Sequence, residues 1–212
     1  MVGNIKVLEL FAGSRSIGKA AEELGYDVFS SDINDFDGID YCIDILDFDI
    51  NKVPFVPDII WASPPCTSYS VAAISHHRPK SGNLSEFAIK SDKMVNKVLD
   101  IIKQLNPRYW YIENPRGMLR KQNFMINIPK TTVWYCKYGD TRAKPTDIWT
   151  NNLRSLLNPN GWQPRPECHN GNVNCHHESA PRGSRTGTQA LVGNYERSKI
   201  PHQLCVEILK SV

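Results

Sequence analysis

With 212 residues, 41% of them hydrophobic, and no apolar run long enough to cross a bilayer, the chain can bury one sizeable core and holds no transmembrane helix. Its net charge of +3 conceals an asymmetry, since residues 1–66 carry four Lys/Arg against twelve Asp/Glu and residues 67–212 carry twenty-one against ten. An acidic half that handles a small molecule and a basic half that meets a polyanion is the expectation, and six scattered cysteines make a poor disulfide framework but leave room for a thiolate or a metal.

The opening residues lack the basic start and the small-residue cleavage site of a secretory signal, so Ile5 to Phe11 is read as a first strand of a cytoplasmic protein. A turn at Gly13 to Gly18, a helix from Ser16 or Ile17 to Leu24 and a strand from Asp27 to Asp32 complete a β-loop-α-β unit. Asp58 to Ala62 is a short apolar strand that ends at Ser63-Pro64-Pro65-Cys66, where two prolines stop it. Between Leu84 and Asn106, Met94, Val95, Val98, Leu99, Ile102 and Leu105 recur at helical spacing, and Pro107 ends the run. Strands follow at Arg108 to Glu113 and Thr132 to Lys137, with Asp147 to Thr150 as a last edge piece. Strands alternating with helices predict an open, mainly parallel α/β sheet. The periodicity then dissolves into Asn, Pro, Gly, Cys and His from Asn151 to about Arg185, and Ile200 to Val212 reads as a closing amphipathic helix. The expected division is a catalytic and cofactor-binding core over 1–150, an irregular insert over 151–185 and a return to the core over 186–212.

Small residues in Phe11-Ala12-Gly13-Ser14-Arg15-Ser16-Ile17-Gly18 allow backbone N–H groups to approach a ligand at the carboxyl edge of the sheet, although any strand-to-helix turn can carry two glycines. Asp32, nineteen residues beyond Gly13, is placed to hold ribose hydroxyls. Asp44 is a candidate acceptor for an adenine amino group, or simply a surface turn. A lone cysteine is usually an inert small hydrophobe, but the prolines before Cys66 aim its sulfur into the cleft above the sheet. The Ser/Gly stretch after it, with His76-His77-Arg78-Pro79-Lys80, is expected to be a mobile loop that closes over a phosphate-bearing substrate. Glu113, ending the next strand before Asn114-Pro115, is a turn cap or a catalytic acid, and its place on the same sheet edge as Cys66 favours the acid.

These residues, taken together, resemble the cytosine-C5 DNA methyltransferases. Phe11-Ala12-Gly13 is similar to that family's S-adenosylmethionine loop, Pro64-Pro65-Cys66 with Tyr69-Ser70 to its Pro-Cys nucleophile motif, and Glu113-Asn114 to its Glu-Asn motif. Asp140-Thr141-Arg142-Ala143-Lys144 is similar to the family's Gln-x-Arg-x-Arg, and Gly193-Asn194 to its last motif, all in the family's order. The chain departs at Arg15, where a second glycine is usual, at Pro115, where Val is usual, and at Asp140 and Lys144, which replace Gln and Arg.

The resemblance implies a Rossmann-like S-adenosylmethionine-dependent methyltransferase sheet with a small irregular C-terminal insert, acting on DNA and without a membrane; the sequence leaves the oligomeric state open, with a monomer favoured. It assigns catalysis to Cys66 as nucleophile, Glu113 as acid and Arg142 as the group that holds the base O2 and steadies Glu113. It assigns cofactor binding to Phe11, Ala12, Gly13, Ser14, Asp32, Ile33, Asp44, Ile45, Pro64 and Asn194. Arg78, Lys80, Arg116, Arg182 and Arg185 are candidate phosphate anchors, each weighed against an ordinary solvated charge.

Family members carry a long target-recognition region after the Arg-x-Arg motif, whereas about forty residues separate Lys144 from Arg182 here. Specificity is then low or supplied by a compact module. Within it, Cys168, Cys175, His176 and His177 are candidate ligands of a tetrahedral zinc, at a spacing unlike the familiar fingers, with loop histidines on phosphate as the alternative. Two other readings compete: the same chemistry on tRNA or a cytosine nucleotide, and a catalytically silent DNA-binding module, for which Cys66, Glu113 and Arg142 together have no use.

Overall fold

The computed structural model describes residues 3–169, 171–178 and 194–212. Seven strands form one sheet: β1 (Lys6–Leu10), β2 (Asp27–Asp32), β3 (Tyr41–Cys42), β4 (Ile59–Ala62), β5 (Tyr109–Pro115), β6 (Lys130–Trp134) and β7 (Pro145–Thr150), in the order β3-β2-β1-β4-β5-β7-β6. The first five are mutually parallel, and β7 runs antiparallel to both of its neighbours.

Alternation along each strand sends side chains to two cores. Val7, Ile59, Trp61 and Tyr111 pack with Ile17, Ala20 and Ala21 of α1 (Ser16–Glu23) and Leu204 and Ile208 of α5 (His202–Leu209). Leu8, Leu10, Ile60, Ala62 and Ile112 face the other way, onto Val95, Val98, Ile101 and Ile102 of α3 (Glu86–Leu105), which follows the one-turn α2 (Ile74–His77). Burial on both faces explains why these strands read as unbroken apolar runs, each fully buried large side chain contributing roughly 1.5–3 kcal/mol. Trp61 stacks on Tyr111 at 5.5 Å between ring centroids. The helix α3 starts where Ser85 accepts a hydrogen bond from the Ala88 N–H and stops where Asn106 turns left-handed ahead of Pro107.

The segment 147–150 is not an edge piece. Strand β7 lies inside the sheet between β5 and β6, and β6 is the edge. The ten residues between β6 and β7 are too few for a parallel crossover, so β7 must turn back antiparallel. Asp147 is fully buried, paired with Arg120 and accepting from the Thr132 hydroxyl. Strand β6 also ends at Trp134, earlier than the expected Lys137, because Tyr135–Tyr138 coil into a 3₁₀ turn closed by the left-handed Gly139. The two-residue β3 has no period to read and was invisible in the sequence.

From residue 151 to 178 the described chain forms neither helix nor sheet strand, apart from a single bridge between Leu153 and Trp162. A short α4 (Asn194–Ser198) precedes α5. No described helix is long and apolar enough to cross a membrane.

Candidate active site

The turn from β1 to α1 carries three residues in the left-handed region, Phe11 (φ 55°), Gly13 (φ 48°) and Arg15 (φ 54°). Only glycine adopts that conformation freely, so holding Phe11 there costs on the order of 1–2 kcal/mol and marks a backbone shaped for contact. The Gly13 N–H donates to Asp32 Oδ2 at 3.0 Å, and the Asn34 N–H to Asp32 Oδ1 at 2.9 Å, fixing the carboxylate at the end of β2. The volume that a Cβ on Gly13 would enter is free of atoms to 3.8 Å, where Ser198 Oγ bounds it, with Asp32 Oδ2 at 4.0 Å. Ile33 presents an exposed apolar side chain beside it, 57% accessible. An open glycine cradle, a fixed acceptor for vicinal hydroxyls and an apolar surface fit the ribose and adenine of S-adenosylmethionine.

The other residues expected there divide. Ala12 donates its N–H to the Ser31 carbonyl, and Ser14 Oγ is paired with Ser16 Oγ, so both shape the turn. Arg15 folds back onto Glu22 and Ser30, away from the cradle. Asp44 caps a 3₁₀ turn through the Leu46 N–H and pairs with Lys90 at 2.9 Å, which hold its carboxyl below the usual range. It therefore brings a partly committed carboxylate to an adenine. The Ile45 side chain belongs to the core on the α3 face. Asn194 opens α4, and its side chain lies outside the described residues, as does Gly193.

One residue of this region went unnoticed in the sequence. Glu9 of β1 is 2% accessible and accepts from the Ile17 and Gly18 N–H groups and the Ser30 hydroxyl, tying the start of α1 to the sheet. Burial pushes it up to about 7 against those donors. The signal was a single acid in an otherwise apolar strand.

At the carboxyl end of β4, the Pro64 carbonyl accepts from Asn114 Nδ2 at 2.8 Å, which locks the Pro-Pro-Cys bend to β5. Cys66 stands exposed at the rim. Loss of solvent and the Glu113 carboxylate both push the thiol up, while Lys144 and Arg197 pull it back. Glu113 of β5 is buried, which raises its carboxyl, opposed by the Lys144 charge and by the Tyr135 hydroxyl, which donates to Oε1 at 2.9 Å. Glu113 therefore holds its proton more readily than an exposed glutamate does.

Arg142 is engaged by Asp140 and not by Glu113. Its guanidinium is gripped by Asp140, through Nε at 2.9 Å and through Nη2, and reaches the Arg197 carbonyl at 3.5 Å. The cation whose charge bears on both Glu113 and Cys66 is Lys144, with Nζ over the Tyr135 ring at 4.5 Å and donating to the Arg197 carbonyl at 3.3 Å. Asp140 captures Arg142 because it lies two residues away and its Oδ1 also takes the Arg142 N–H. Lys144 and Tyr135 are thus the groups that sequence reasoning missed.

The segment after Cys66, expected from its composition to be a loop, is folded into short helical turns over Thr67–His77. Arg78 is buried, donates to the Ser68 and Ala88 carbonyls, pairs with Asp92 at 2.6 Å and lies 4.4 Å over the Tyr69 ring. It is a strut, not a phosphate anchor. Truncating it leaves Asp92 and the Ser68 carbonyl unpaired, so Arg78→Ala is expected to lower stability by about 3 kcal/mol in denaturant unfolding while leaving the salt dependence of DNA binding unchanged. Lys80 and Arg116 are exposed, Arg116 lying 5.4 Å over Trp134, and Arg182 and Arg185 fall outside the described residues.

The candidate metal ligands also regroup. Cys168, Cys175 and His177 come together, His176 does not join them, and Cys136, which follows Tyr135 beyond β6, completes the set.

A 3-2-1-4-5-7-6 sheet with one antiparallel strand, a glycine turn after β1 and an acid after β2 defines the S-adenosylmethionine-dependent methyltransferase fold. Two solved structures share it: a "putative DNA modification methyltransferase" encoded within an E. coli prophage (TM-score 0.55, 14% identity, 78% of this chain and 52% of that one), and the Entamoeba histolytica methyltransferase EhMeth (0.55, 16%, 78% and 58%). This chain therefore spans little more than half the length of either. Residues 5–132 match the model of the C-5 cytosine-specific DNA methylases. A Frog virus 3 (isolate Goorha) protein named "Probable DNA (cytosine-5)-methyltransferase" is 30% identical over 157 residues, 69% of this chain and 71% of that one. The chain belongs to the C-5 cytosine-specific DNA methylase family, whose reaction is methylation of cytosine at C5 from S-adenosylmethionine.

Proposed function

We propose that this chain methylates cytosine in DNA, with Cys66 as nucleophile, Glu113 as acid and Lys144 as the cation that serves both. The observation that carries the reading is the convergence of these three groups at one sheet edge, beside the Gly13 and Asp32 cradle.

S-adenosylmethionine, when bound, supplies an electrophilic methyl group; Asp32, Gly13 and Ile33 would hold it. The cytosine ring is a poor nucleophile at C5. Adding the Cys66 thiolate to C6 makes C5 enamine-like, and Glu113 donates a hydrogen bond or proton at N3 as charge develops there. Lys144 steadies the Cys66 thiolate and the base O2 through its charge, and Tyr135 fixes the Glu113 carboxyl. Once C5 carries the methyl group, its proton leaves to solvent and the C6–S bond breaks, releasing Cys66. A base in duplex DNA must leave the stack to reach this rim, and exposed Lys80 and Arg116 are suited to the phosphates. The insert that begins at Asn151 takes the place of a target-recognition module, and its few elements suit low sequence specificity.

Labelled methyl transfer to DNA, tRNA and dCMP in parallel tests the substrate: transfer to DNA is expected, and transfer to tRNA or dCMP alone overturns it. Replacing the ribose acceptor should cost one charged hydrogen-bond pair, so Asp32→Ala is expected to weaken cofactor binding roughly 10- to 100-fold by calorimetry. Unchanged affinity would place the cofactor elsewhere.

A further inference from the structure

We propose that Cys136, Cys168, Cys175 and His177 bind one zinc ion in a closed, structural site that clamps the insert to the catalytic core. The inference is independent of the methyl-transfer reading.

The three sulfurs and the imidazole nitrogen all lie within 4.8 Å of one another. Cys168 Sγ and His177 Nε2 are 3.5 Å apart, and a tetrahedral ion with bonds of about 2.3 Å to sulfur and about 2.0 Å to nitrogen has an S···N edge of roughly that length. Three soft sulfurs and one imidazole select zinc over magnesium or calcium, which take oxygen. The ligand atoms lie too close together to straddle a multi-iron cluster. Four protein ligands leave no open position, which makes the site structural, not catalytic.

The surroundings are built for it. Cys168 is 5% accessible and packs with Trp134 and Ala143, with Cys136 and Cys175 against the same cluster, so the site is dry on one side. Asn172 Nδ2 donates to Cys168 Sγ at 3.2 Å, the type of outer contact that stabilises a thiolate ligand. The Asn172 N–H to His169 carbonyl and Cys175 N–H to Asn172 carbonyl bonds fold the chain so that two cysteines return to one point. A disulfide satisfies only two of the three sulfurs and leaves the imidazole without a role.

The mechanical consequence follows from what is tied to what. Residues 163–178 form no helix or strand where described, so little apolar burial holds them. Cys136 adjoins Tyr135, the hydrogen-bond partner of Glu113, and the Glu178 N–H reaches the Thr141 carbonyl next to Arg142. An ion here fastens the insert to the turn that orients the acid.

The test uses the full chain, expressed without a histidine tag in zinc-supplemented medium and desalted. One zinc per chain is expected by elemental analysis. Cys168→Ala and Cys175→Ala should lose it, and His176→Ala should retain it. Because a cysteine variant can fail to fold, the wild-type protein is also alkylated with and without chelator and mapped by mass spectrometry. Cys136, Cys168 and Cys175 should be protected until chelator is added, while exposed Cys42 reacts in both samples. Cobalt reconstitution should give thiolate-to-metal absorption and tetrahedral d–d bands. Metal-free protein whose three cysteines alkylate freely, or are found in a disulfide, overturns the proposal, as does zinc retained by Cys168→Ala and Cys175→Ala alike.

Discussion

Cys66→Ser is expected to lower methyl transfer to DNA at least a hundredfold, about 2.7 kcal/mol, with cofactor affinity unchanged. The thiol is already pushed up by its surroundings, so the attacking thiolate depends on Lys144 and on the arriving base. An alcohol of far higher pKa gains nothing comparable from one lysine, and its oxygen adds poorly to C6. The cradle at Gly13 and Asp32 lies at other strand ends and is untouched by the exchange. Calorimetric titration with S-adenosylmethionine against labelled transfer separates the two effects. A 5-fluorocytosine substrate adds a direct reading: fluorine at C5 cannot depart as a proton, so the C6–S bond persists and a peptide containing Cys66 gains the mass of the adduct. Activity above one per cent of wild type, or an adduct on another residue, rules out Cys66 as the nucleophile.

Local signals carried the frame of the molecule. Two prolines before Cys66, a glycine turn after a buried strand and an acid at the end of the next strand are short-range features, each readable without the rest of the chain. The long helix was legible because twenty residues at one period outweigh any single exception. What escaped was set at long range. Strand β7 reads as an edge piece, and it takes Arg120, twenty-seven positions away, with the Thr132 hydroxyl to make its buried Asp147 tolerable. The two motif cations look alike in sequence, and which of them lies free to act on Glu113 is decided by Asp140, which binds the nearer one. Cys136 could not be joined to Cys168 and Cys175 by spacing, since the fold alone closes that gap. Arg78 shows the converse: a basic cluster in a Ser/Gly stretch predicts solvent, and one member proved to be the centre of a buried hydrogen-bond network.

Glu113→Gln is expected to lower kcat roughly 10²- to 10⁴-fold, the range of a lost general acid, with a small change in KM. The exchange keeps the shape of the side chain and an acceptor for the Tyr135 hydroxyl, so the strand and its neighbour should stay in place. What it removes is a transferable proton. Burial raises the Glu113 carboxyl, and a carboxyl with a raised pKa keeps its proton to higher pH than usual and surrenders it as pH climbs through that value. The active, protonated form therefore prevails on the acid side, and kcat/KM should fall along an alkaline limb as Glu113 ionises. Cys66 acts in the opposite sense, since its thiolate is the active form and is gained as pH rises. The wild-type profile should be bell-shaped, and the Glu113→Gln profile should lose the descending limb and keep the ascending one. Tyr135→Phe supplies the intermediate case: without the hydroxyl that opposes burial, Glu113 should be raised further, moving the descending limb to higher pH with activity largely kept. A Glu113→Gln variant that retains a bell-shaped profile at near wild-type rate would transfer the acid's role to another group.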